Sequence, residues 1–286
     1  MKSWHLIRSG RQNGAYNMAL DEALLQNYAH SLEKGEEPAP TLRFYGWQPP
    51  CLTLGYAQRA EREVDFEGCA RLGVDWVRRP TGGRAILHDW GELTYSLTAL
   101  VHNPFLQGGI LDSYRQISGA LVEGLRRLGV DAETAGREVR GEESATTAAC
   151  FDAPSAYEIT FGGRKLIGSA QARRSGALLQ QGTILLTVDV PRLFTVLKPP
   201  PRQTKEAAIA QVTARLTSIE EARHRSVSFE EAESAFAAAF AAHFQVALVE
   251  DSVRPAEEAL TAQLLQEKYA NPAWNLERQR PRPAFR

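Results

Sequence analysis

A chain of 286 residues with 43% hydrophobic and 23% charged residues has the composition of an ordinary soluble globular protein, which excludes disordered and fibrous classes. The formal net charge of −1, from 33 basic and 34 acidic residues, gives no electrostatic reason to expect a nucleic-acid or membrane partner. The N-terminal stretch has no apolar signal-peptide region, and no run of about 18 apolar residues occurs, so we expect a cytoplasmic location.

Helical and strand-like patterns alternate through the first half of the chain. Apolar residues recur at four-residue spacing from Tyr16 to Tyr28, which predicts a helix over residues 14–35. Turn residues such as Pro49 and Pro50 separate the shorter runs that follow. The further predicted elements are strands at 41–46 and 51–56, a charged helix at 59–72, strands in DWVRR, AILH and ELTYSLTA, and a helix at 111–128.

Strand-like runs return in the second half, after a polar stretch at residues 131–147 that has no clear period. Gly162-Gly163 and a charged turn around Arg173-Arg174 separate these runs, which predicts an antiparallel meander. Two alanine-rich helical patterns follow, and Ser228 begins the first with a capping box. The predicted strands lie at 156–161, 164–170 and 176–187, and the helical patterns are SFEEAESAFAAAFAAHF and PAEEALTAQLLQEKYA. We therefore expect an α+β fold with a helical C-terminal portion.

The loop RRPTGGR, residues 78–84, is the most unusual segment of the sequence. Its successive glycines allow backbone N–H groups to approach a ligand, and its arginines can hold a phosphate or a carbonyl oxygen. A Gly-Gly hairpin with solvated arginines is the alternative, because the segment matches neither the Walker nor the Rossmann spacing. His88 follows the loop in the sequence, and its possible roles are those of a base, an oxyanion donor or a structural residue. The neighbouring Asp89 would point to the opposite face of a continuous strand, so it is not an obvious partner for His88.

The three cysteines are odd in number and far apart, which argues against a disulfide framework and a CxxC metal site. Cys51 lies in a strand-like run and Cys69 in a predicted helix, so we expect both to be small buried hydrophobic residues. Cys150 precedes Pro154 in a predicted loop and is either a nucleophile or an inert thiol. A Lys165 ammonium near Cys150 would lower the pKa of its thiol and raise the thiolate fraction.

Common catalytic motifs do not occur. The sequence lacks HExxH, GxSxG and GxxxxGK[ST], which excludes the usual metalloprotease, serine hydrolase and P-loop patterns. We find no pattern of metal ligands and predict no metal. The chemistry that the sequence favours is therefore that of a thiol beside a loop that binds an anion or a carbonyl group.

Five ordered segments resemble the superfamily of lipoate-protein ligases and octanoyltransferases, and within it they look most like the LipM type of octanoyltransferase. The segments are NMALDEALL (17–25), RRPTGGRAILHD with ELTYSL (78–97), ACFDAPSAYEIT (149–160), GGRKLIGSAQ (162–171) and LLQQGTILL (178–186). The resemblance implies a catalytic domain like that of biotin and lipoate protein ligases, in which helices pack on mixed, largely antiparallel sheets. We expect this domain to span residues 1–250, with residues 251–286 as a helical extension packed on it.

The resemblance also implies an activity. An octanoyl group would pass from acyl carrier protein, through a cysteine thioester, to a lysine of a lipoyl domain, typically the glycine cleavage H protein, without a cofactor. The implied catalytic residues are Cys150 and Lys165, and the implied substrate-binding residues are Arg79, Gly82, Gly83, Arg84, His88, Gly168 and Ser169. One departure is Gln181, where relatives often show a histidine, so a proton-exchange role at that position is in doubt.

Three alternatives stand beside this reading. An ATP-dependent lipoate ligase would use the Gly-Gly-Arg loop for an acyl-adenylate and would not need Cys150. An amidotransferase would take octanoyl from one lipoyl domain to another by the same cysteine chemistry. A non-catalytic scaffold would bind lipoyl domains and keep Cys150 as a structural thiol. We expect a monomer with neither nucleic-acid nor membrane partners.

Overall fold

The computed structural model describes residues 2–134 and 158–278 of the chain. The strands are β1 (Ser3–Gln12), β2 (Thr41–Trp47), β3 (Cys51–Leu54), β4 (Asp75–Arg78), β5 (Ile86–His88), β6 (Glu92–Leu100), β7 (Glu133–Thr134), β8 (Ile159–Phe161), β9 (Arg164–Arg174), β10 (Ala177–Leu185) and β11 (Ala247–Glu250). The helices are α1 (Gly14–Glu33), α2 (Ala60–Glu63), α3 (Phe66–Leu72), α4 (Ile110–Arg127), α5 (Val190–Leu193), α6 (Lys205–Thr213), α7 (Ile219–Arg223), α8 (Phe229–Phe244), α9 (Pro255–Leu264), the π-helix Leu265–Tyr269 and α10 (Pro272–Asn275).

The strands form two sheets. The larger has the order β11-β1-β2-β6-β10-β9-β8-β7, with β1 parallel to both of its neighbours and antiparallel pairing from β2 onward. The smaller has the order β4-β3-β5, in which β3 is parallel to β4 and antiparallel to β5. The prediction of mixed, largely antiparallel sheets and of a meander at β8–β10 is confirmed.

Helices cover both faces of the larger sheet. Apolar residues of β6, such as Tyr95 and Leu97, point into a core shared with α4 and α8. The intervening residues of β6, including Thr94 and Ser96, lie on the face covered by α1 and are buried as well. Polar side chains on a covered face must find hydrogen-bond partners inside the protein. The alternating sequence of β6 therefore builds an apolar core on one face and a buried polar layer on the other.

The C-terminal helices pack against α1. The Lys268 ammonium of the π-helix lies 2.5 Å from a carboxylate oxygen of Glu22 in α1, and both side chains are buried. The Arg78 guanidinium donates to backbone carbonyls of α10, including that of Asn275 at 2.8 Å. The division of the chain at residue 250 remains a prediction. No helix among the described residues is long and apolar enough to span a bilayer.

Local signals misplaced several boundaries. The helix predicted over 59–72 is two helices, because the backbone at Val64 is extended and the Asp65 side chain caps α3. The predicted turn at Arg173-Arg174 is wrong, because both arginines continue the ladder of β9 and the turn lies at Ser175-Gly176, where φ is positive. Seven elements of the described residues were not predicted from the sequence, namely β1, β7, β11, α5, α6, α7 and α10.

Candidate functional site

A cavity opens between the two sheets and the N-terminal half of α1. Its lining comes from α1, β2, β5, β6, β9 and β10 and from the loop between β4 and β5. The lining residues are Met18, Tyr45, Trp47, Arg79, Thr81, Gly83, Ile86, His88, Thr94, Gly168, Ser169, Ala170, Gln181, Gly182 and Thr183. Most of the exposed wall is apolar, and polar side chains such as Arg79, His88 and Gln181 lie among the lining residues. Such a cavity suits a ligand with an apolar chain and one polar end.

Arg79 holds the Gly-Gly loop in place. Its side chain is 5% exposed, and one terminal nitrogen, Nη2, donates to the carbonyls of Gly82 and Arg84, each at 2.9 Å. The other, Nη1, donates to the hydroxyl of Thr53 at 2.6 Å and to the Thr53 carbonyl at 3.2 Å. The guanidinium therefore fixes the backbone of the loop to β3.

The loop depends on two glycines that are far apart in the sequence. Gly83 has a φ of +90°, a conformation that favours glycine. A Cβ atom at Gly55 would lie 1.9 Å from the Gly83 carbonyl oxygen, so only glycine lets β3 and the loop approach this closely. Gly82 has no neighbour within 4 Å of such a Cβ. Of the two loop glycines, Gly83 is the one that the backbone requires.

His88 is buried between two partners. Its Nδ1 lies 2.6 Å from Oε1 of Glu92, and its Nε2 lies 2.8 Å from the Thr53 hydroxyl. The imidazole also stacks on the indole of Trp47, with ring centroids 4.0 Å apart. The side chain of Asp89 instead accepts from the backbone N–H of Gly91. Asp89 is not the partner of His88, as the sequence indicated, and Glu92 fills that role.

The cavity is polar where β10 meets α1. The Gln181 amide donates to Asp21 and accepts from the Thr81 hydroxyl at 3.1 Å. Tyr45 donates to Asp21 at 2.8 Å, and Arg43 pairs with the same carboxylate at 2.8 Å. Burial, followed by the Asp21 charge, raises the pKa of Tyr45 well above its ordinary value, so this phenol stays protonated and donates. An amide at position 181 satisfies this network with no proton exchange of its own.

Strand β9 carries three of the predicted residues. Gly168 and Ser169 line the cavity, and the Ser169 hydroxyl lies 2.8 Å from the Tyr95 hydroxyl. Lys165 lies nearer the start of the strand, is 6% exposed and forms an ion pair with Glu158. Glu158 is a second partner that the sequence reading missed. It belongs to the quoted segment ACFDAPSAYEIT, and only the fold brings it to Lys165.

The structure brings together five of the nine predicted site residues around one cavity, namely Arg79, Gly83, His88, Gly168 and Ser169. The Gly82 carbonyl accepts a hydrogen bond from Arg79. Arg84 lines a neighbouring cleft with Arg62 and Lys198. Lys165 lies along β9 in its ion pair, and Cys150 lies outside the described residues. Within the two described ranges, no group of three or more His, Cys, Asp or Glu residues could hold a metal ion.

The sequence matches the family model of the lipoyl protein ligase A/B catalytic domain over residues 13–241. The chain is 44% identical over 274 residues to octanoyltransferase LipM of Carboxydothermus hydrogenoformans, with 96% of this chain and 98% of the relative covered. It is also 44% identical over 278 residues to octanoyltransferase LipM of Kyrpidia tusciae, with 96% and 99% covered.

A solved structure has the same fold. It is described as a bi-partite lipoate protein ligase and its E2 lipoyl domain from Thermoplasma acidophilum. The TM-score is 0.81 at 26% identity, and the match covers 99% of this chain and 100% of that one. The fold is therefore shared with a lipoate protein ligase, while the higher sequence identities are with octanoyltransferases.

Proposed function

Because this chain belongs to the lipoyl protein ligase A/B catalytic-domain family, and within it to the acyltransferases of the octanoyltransferase LipM type, we propose that it carries octanoyl from acyl carrier protein to a lipoyl-domain lysine. The acceptor would be a lipoyl domain such as the glycine cleavage H protein. The relatives named octanoyltransferase LipM support octanoyl transfer in lipoate biosynthesis. To this we add, as a proposal, the donor, the thioester intermediate and the acceptor.

The observation that carries the proposal is the cavity itself. It has apolar walls formed by side chains such as Met18, Trp47 and Ile86, and the Gly83 loop and His88 stand along one side. Burial of an acyl chain stabilises binding by roughly 0.8 kcal/mol per CH₂, so an eight-carbon chain is held mainly by these walls. The reacting carbonyl would then lie near the Gly-Gly loop and the middle of β9, where Gly168 and Ser169 line the cavity.

The first half of the reaction is a thioester exchange. The Cys150 thiolate attacks the acyl carbonyl carbon of the donor, the bond to the pantetheine sulfur breaks, and the leaving thiolate takes up a proton. One thioester replaces another of similar energy, so the step needs no ATP. In this proposal the buried Lys165 ammonium lies near Cys150 during the reaction, where its positive charge would lower the pKa of the thiol.

The second half forms an amide. The acceptor amine attacks the acyl-cysteine, the carbon–sulfur bond breaks, and Cys150 is released as a thiolate. Only about one in 2500 free lysines is neutral at pH 7 with a pKa near 10.4, so the site must remove a proton from the acceptor. The released Cys150 thiolate and solvent take up the protons that the acceptor nitrogen loses, and backbone N–H groups near Gly83 can stabilise the oxyanion.

Two other functions use the same fold. A lipoate ligase would activate the acid with ATP, and the similar archaeal structure is a lipoate protein ligase. An octanoyl amidotransferase would differ only in taking its octanoyl group from another lipoyl domain. The identities of 44% with octanoyltransferases favour thioester transfer over the ligase.

Intact-mass spectrometry tests the proposal. The protein is incubated with octanoyl acyl carrier protein without ATP, beside Cys150→Ala and, as a matched control, Cys69→Ala, whose thiol is buried in α3. We expect a gain of one octanoyl group, about 126 Da, in the wild type and Cys69→Ala but not in Cys150→Ala. An apo lipoyl domain should remove the adduct.

Two results would redirect the assignment. If the lipoyl domain is acylated only when ATP and a free acid are supplied, the protein is a ligase and Cys150 has no role in the reaction. An adduct formed from an octanoylated lipoyl domain, but not from acyl carrier protein, would make it the amidotransferase.

A further inference from the structure

A continuous chain of hydrogen bonds joins the Glu92 carboxylate to the Arg79 guanidinium. Glu92 Oε1 lies 2.6 Å from His88 Nδ1, and His88 Nε2 lies 2.8 Å from the Thr53 hydroxyl. The Thr53 hydroxyl in turn accepts from Arg79 Nη1 at 2.6 Å. Four residues from β3, the loop, β5 and β6 are thus linked side chain to side chain.

The direction of each bond follows from the groups involved. A carboxylate only accepts, so the proton between Glu92 and His88 is on Nδ1. Because the Thr53 oxygen accepts from Arg79, its own hydrogen is available to His88 Nε2. Every donor and acceptor in the chain is therefore matched when Glu92 is ionised, His88 is neutral and Arg79 is protonated.

The chain is buried along its whole length. Thr53 is 0% exposed, His88 and Glu92 are each 2% exposed, and Arg79 is 5% exposed. A buried cation and a buried carboxylate without direct contact are costly unless polar groups connect them. The indole of Trp47 holds the arrangement from the side, because it stacks on His88 and donates to Thr94, whose hydroxyl donates to Glu92.

The other end of Arg79 carries the loop. Its Nη2 donates to the carbonyls of Gly82 and Arg84, so the orientation of the guanidinium sets the direction of the peptide groups between them. Thr53 and Glu92 are not among the residues that line the cavity, so a shift at either of them would change that orientation at a distance.

We propose that Glu92, His88 and Thr53 are positioning residues that act through Arg79 to aim the Gly83 region of the loop at the reacting carbonyl. The proposal rests on the function proposed above. In this proposal His88 connects Glu92 to Thr53 through hydrogen bonds and so helps to position Arg79. It is not the base that accepts the proton of the acceptor lysine. Backbone N–H groups of the loop that bind the acyl oxygen strongly only in the transition state should affect kcat more than KM.

The test is steady-state transfer from octanoyl acyl carrier protein to an apo lipoyl domain by the full chain. Thr53→Val keeps the shape of the side chain and removes only the hydroxyl. We expect kcat to fall about ten-fold while KM for the donor changes by less than about two-fold. Thr53→Ser restores the hydroxyl and should restore most of kcat.

The matched control is Thr98→Val. Thr98 lies on β6, is fully buried, and within the described part of the chain its hydroxyl has no hydrogen-bond partner. The same substitution there removes a methyl-sized polar group and no hydrogen bond, so kcat should stay at the wild-type value. Glu92→Gln serves if Thr53→Val does not fold, because it keeps the acceptor oxygen and removes the charge, and it should also lower kcat.

The outcomes separate the two proposals. A wild type that transfers nothing from acyl carrier protein would refute the proposed function. An active wild type with unchanged kcat in Thr53→Val and Glu92→Gln would overturn the positioning role. The positioning role would also be overturned if Thr53→Ser were as inactive as Thr53→Val, or if Thr53→Val changed only the KM.

Discussion

The thiols show how much the surroundings of a single residue decide its chemistry. Cys51 in β3 and Cys69 in α3 are both buried, as the sequence predicted. Burial raises the pKa of the Cys51 thiol well above its ordinary value and that of Cys69 to about 11. Neither thiol forms enough thiolate near neutral pH to act as a nucleophile. Cys150 is therefore the cysteine on which the thioester proposal depends.

Alkylation of the native protein tests this difference. Brief treatment with iodoacetamide at neutral pH should add one carbamidomethyl group per chain, because only a thiolate that solvent can reach reacts quickly. Peptide mapping should place it on Cys150, and Cys150→Ala should remain unlabelled until denaturant exposes the two buried thiols. Labelling of Cys51 or Cys69 in the folded protein at a comparable rate would contradict the burial described here.

Among the secondary-structure elements, the C-terminal helices are attached to the smaller sheet by one arginine. The fully buried Arg78 guanidinium donates to carbonyls on both sides, including Gln58 at 2.7 Å and Asn275 at 2.8 Å. Burial, followed by the nearby Arg278 charge, lowers the pKa of Arg78 to about 10, so it remains a cation at neutral pH. Its neighbour Arg79 holds the Gly-Gly loop, so two adjacent arginines serve different elements.

Arg78→Met should loosen the attachment of α10. The change leaves several buried carbonyls without a donor, and each lost partner costs about 1–3 kcal/mol, so we expect the free energy of unfolding to fall by about 3 kcal/mol or more. Urea unfolding measures this, and limited proteolysis should cut first near residues 270–278. Arg71→Met, at an exposed position of α3, is the control and should change stability by less than about 0.5 kcal/mol. Equal effects of the two substitutions would refute the role of Arg78.

Over the whole molecule, one buried cluster ties the first helix to the last part of the described chain. The Glu22 carboxylate lies 2.5 Å from the Lys268 ammonium and 2.9 Å from Arg174, and it accepts from the Tyr269 hydroxyl. Burial raises the pKa of Glu22, but the Lys268 and Arg174 charges and the hydrogen bonds outweigh this effect and hold the pKa below its ordinary value. A lowered folded-state pKa stabilises the protein above the unfolded pKa and loses this contribution as pH falls through the folded value.

Lys268→Met should therefore destabilise the protein in a pH-dependent way. At pH 7 we expect a loss of about 3 kcal/mol, because removal of one partner leaves a buried carboxylate short of positive charge. As pH falls toward 4, the difference from the wild type should narrow, because Glu22 without its Lys268 partner takes up a proton at a higher pH than Glu22 of the wild type, whose pKa is held below its ordinary value. Urea unfolding at pH 7 and pH 4 measures the difference, with Lys205→Met as the exposed control. A difference that does not depend on pH would show that lost packing, not charge, is responsible.

The sequence by itself determined the elements with a strong local period. The four-residue spacing from Tyr16 to Tyr28 predicted α1 and its buried residues, and the break at Gly162-Gly163 predicted the turn between β8 and β9 of the meander. Five segments whose order resembles one superfamily also pointed to five of the fifteen residues that line the cavity.

The tertiary structure decided which side chains meet. No local pattern pairs His88 with Glu92 and Thr53, or Lys165 with Glu158, because these partners lie on different strands or loops. Strand β11 was missed for the same reason, since its four residues gain their hydrogen bonds from β1 at the other end of the chain. Periodicity reports whether a residue is buried, whereas the partner of a buried polar group depends on which strands become neighbours, and that order is set only when the whole sheet forms.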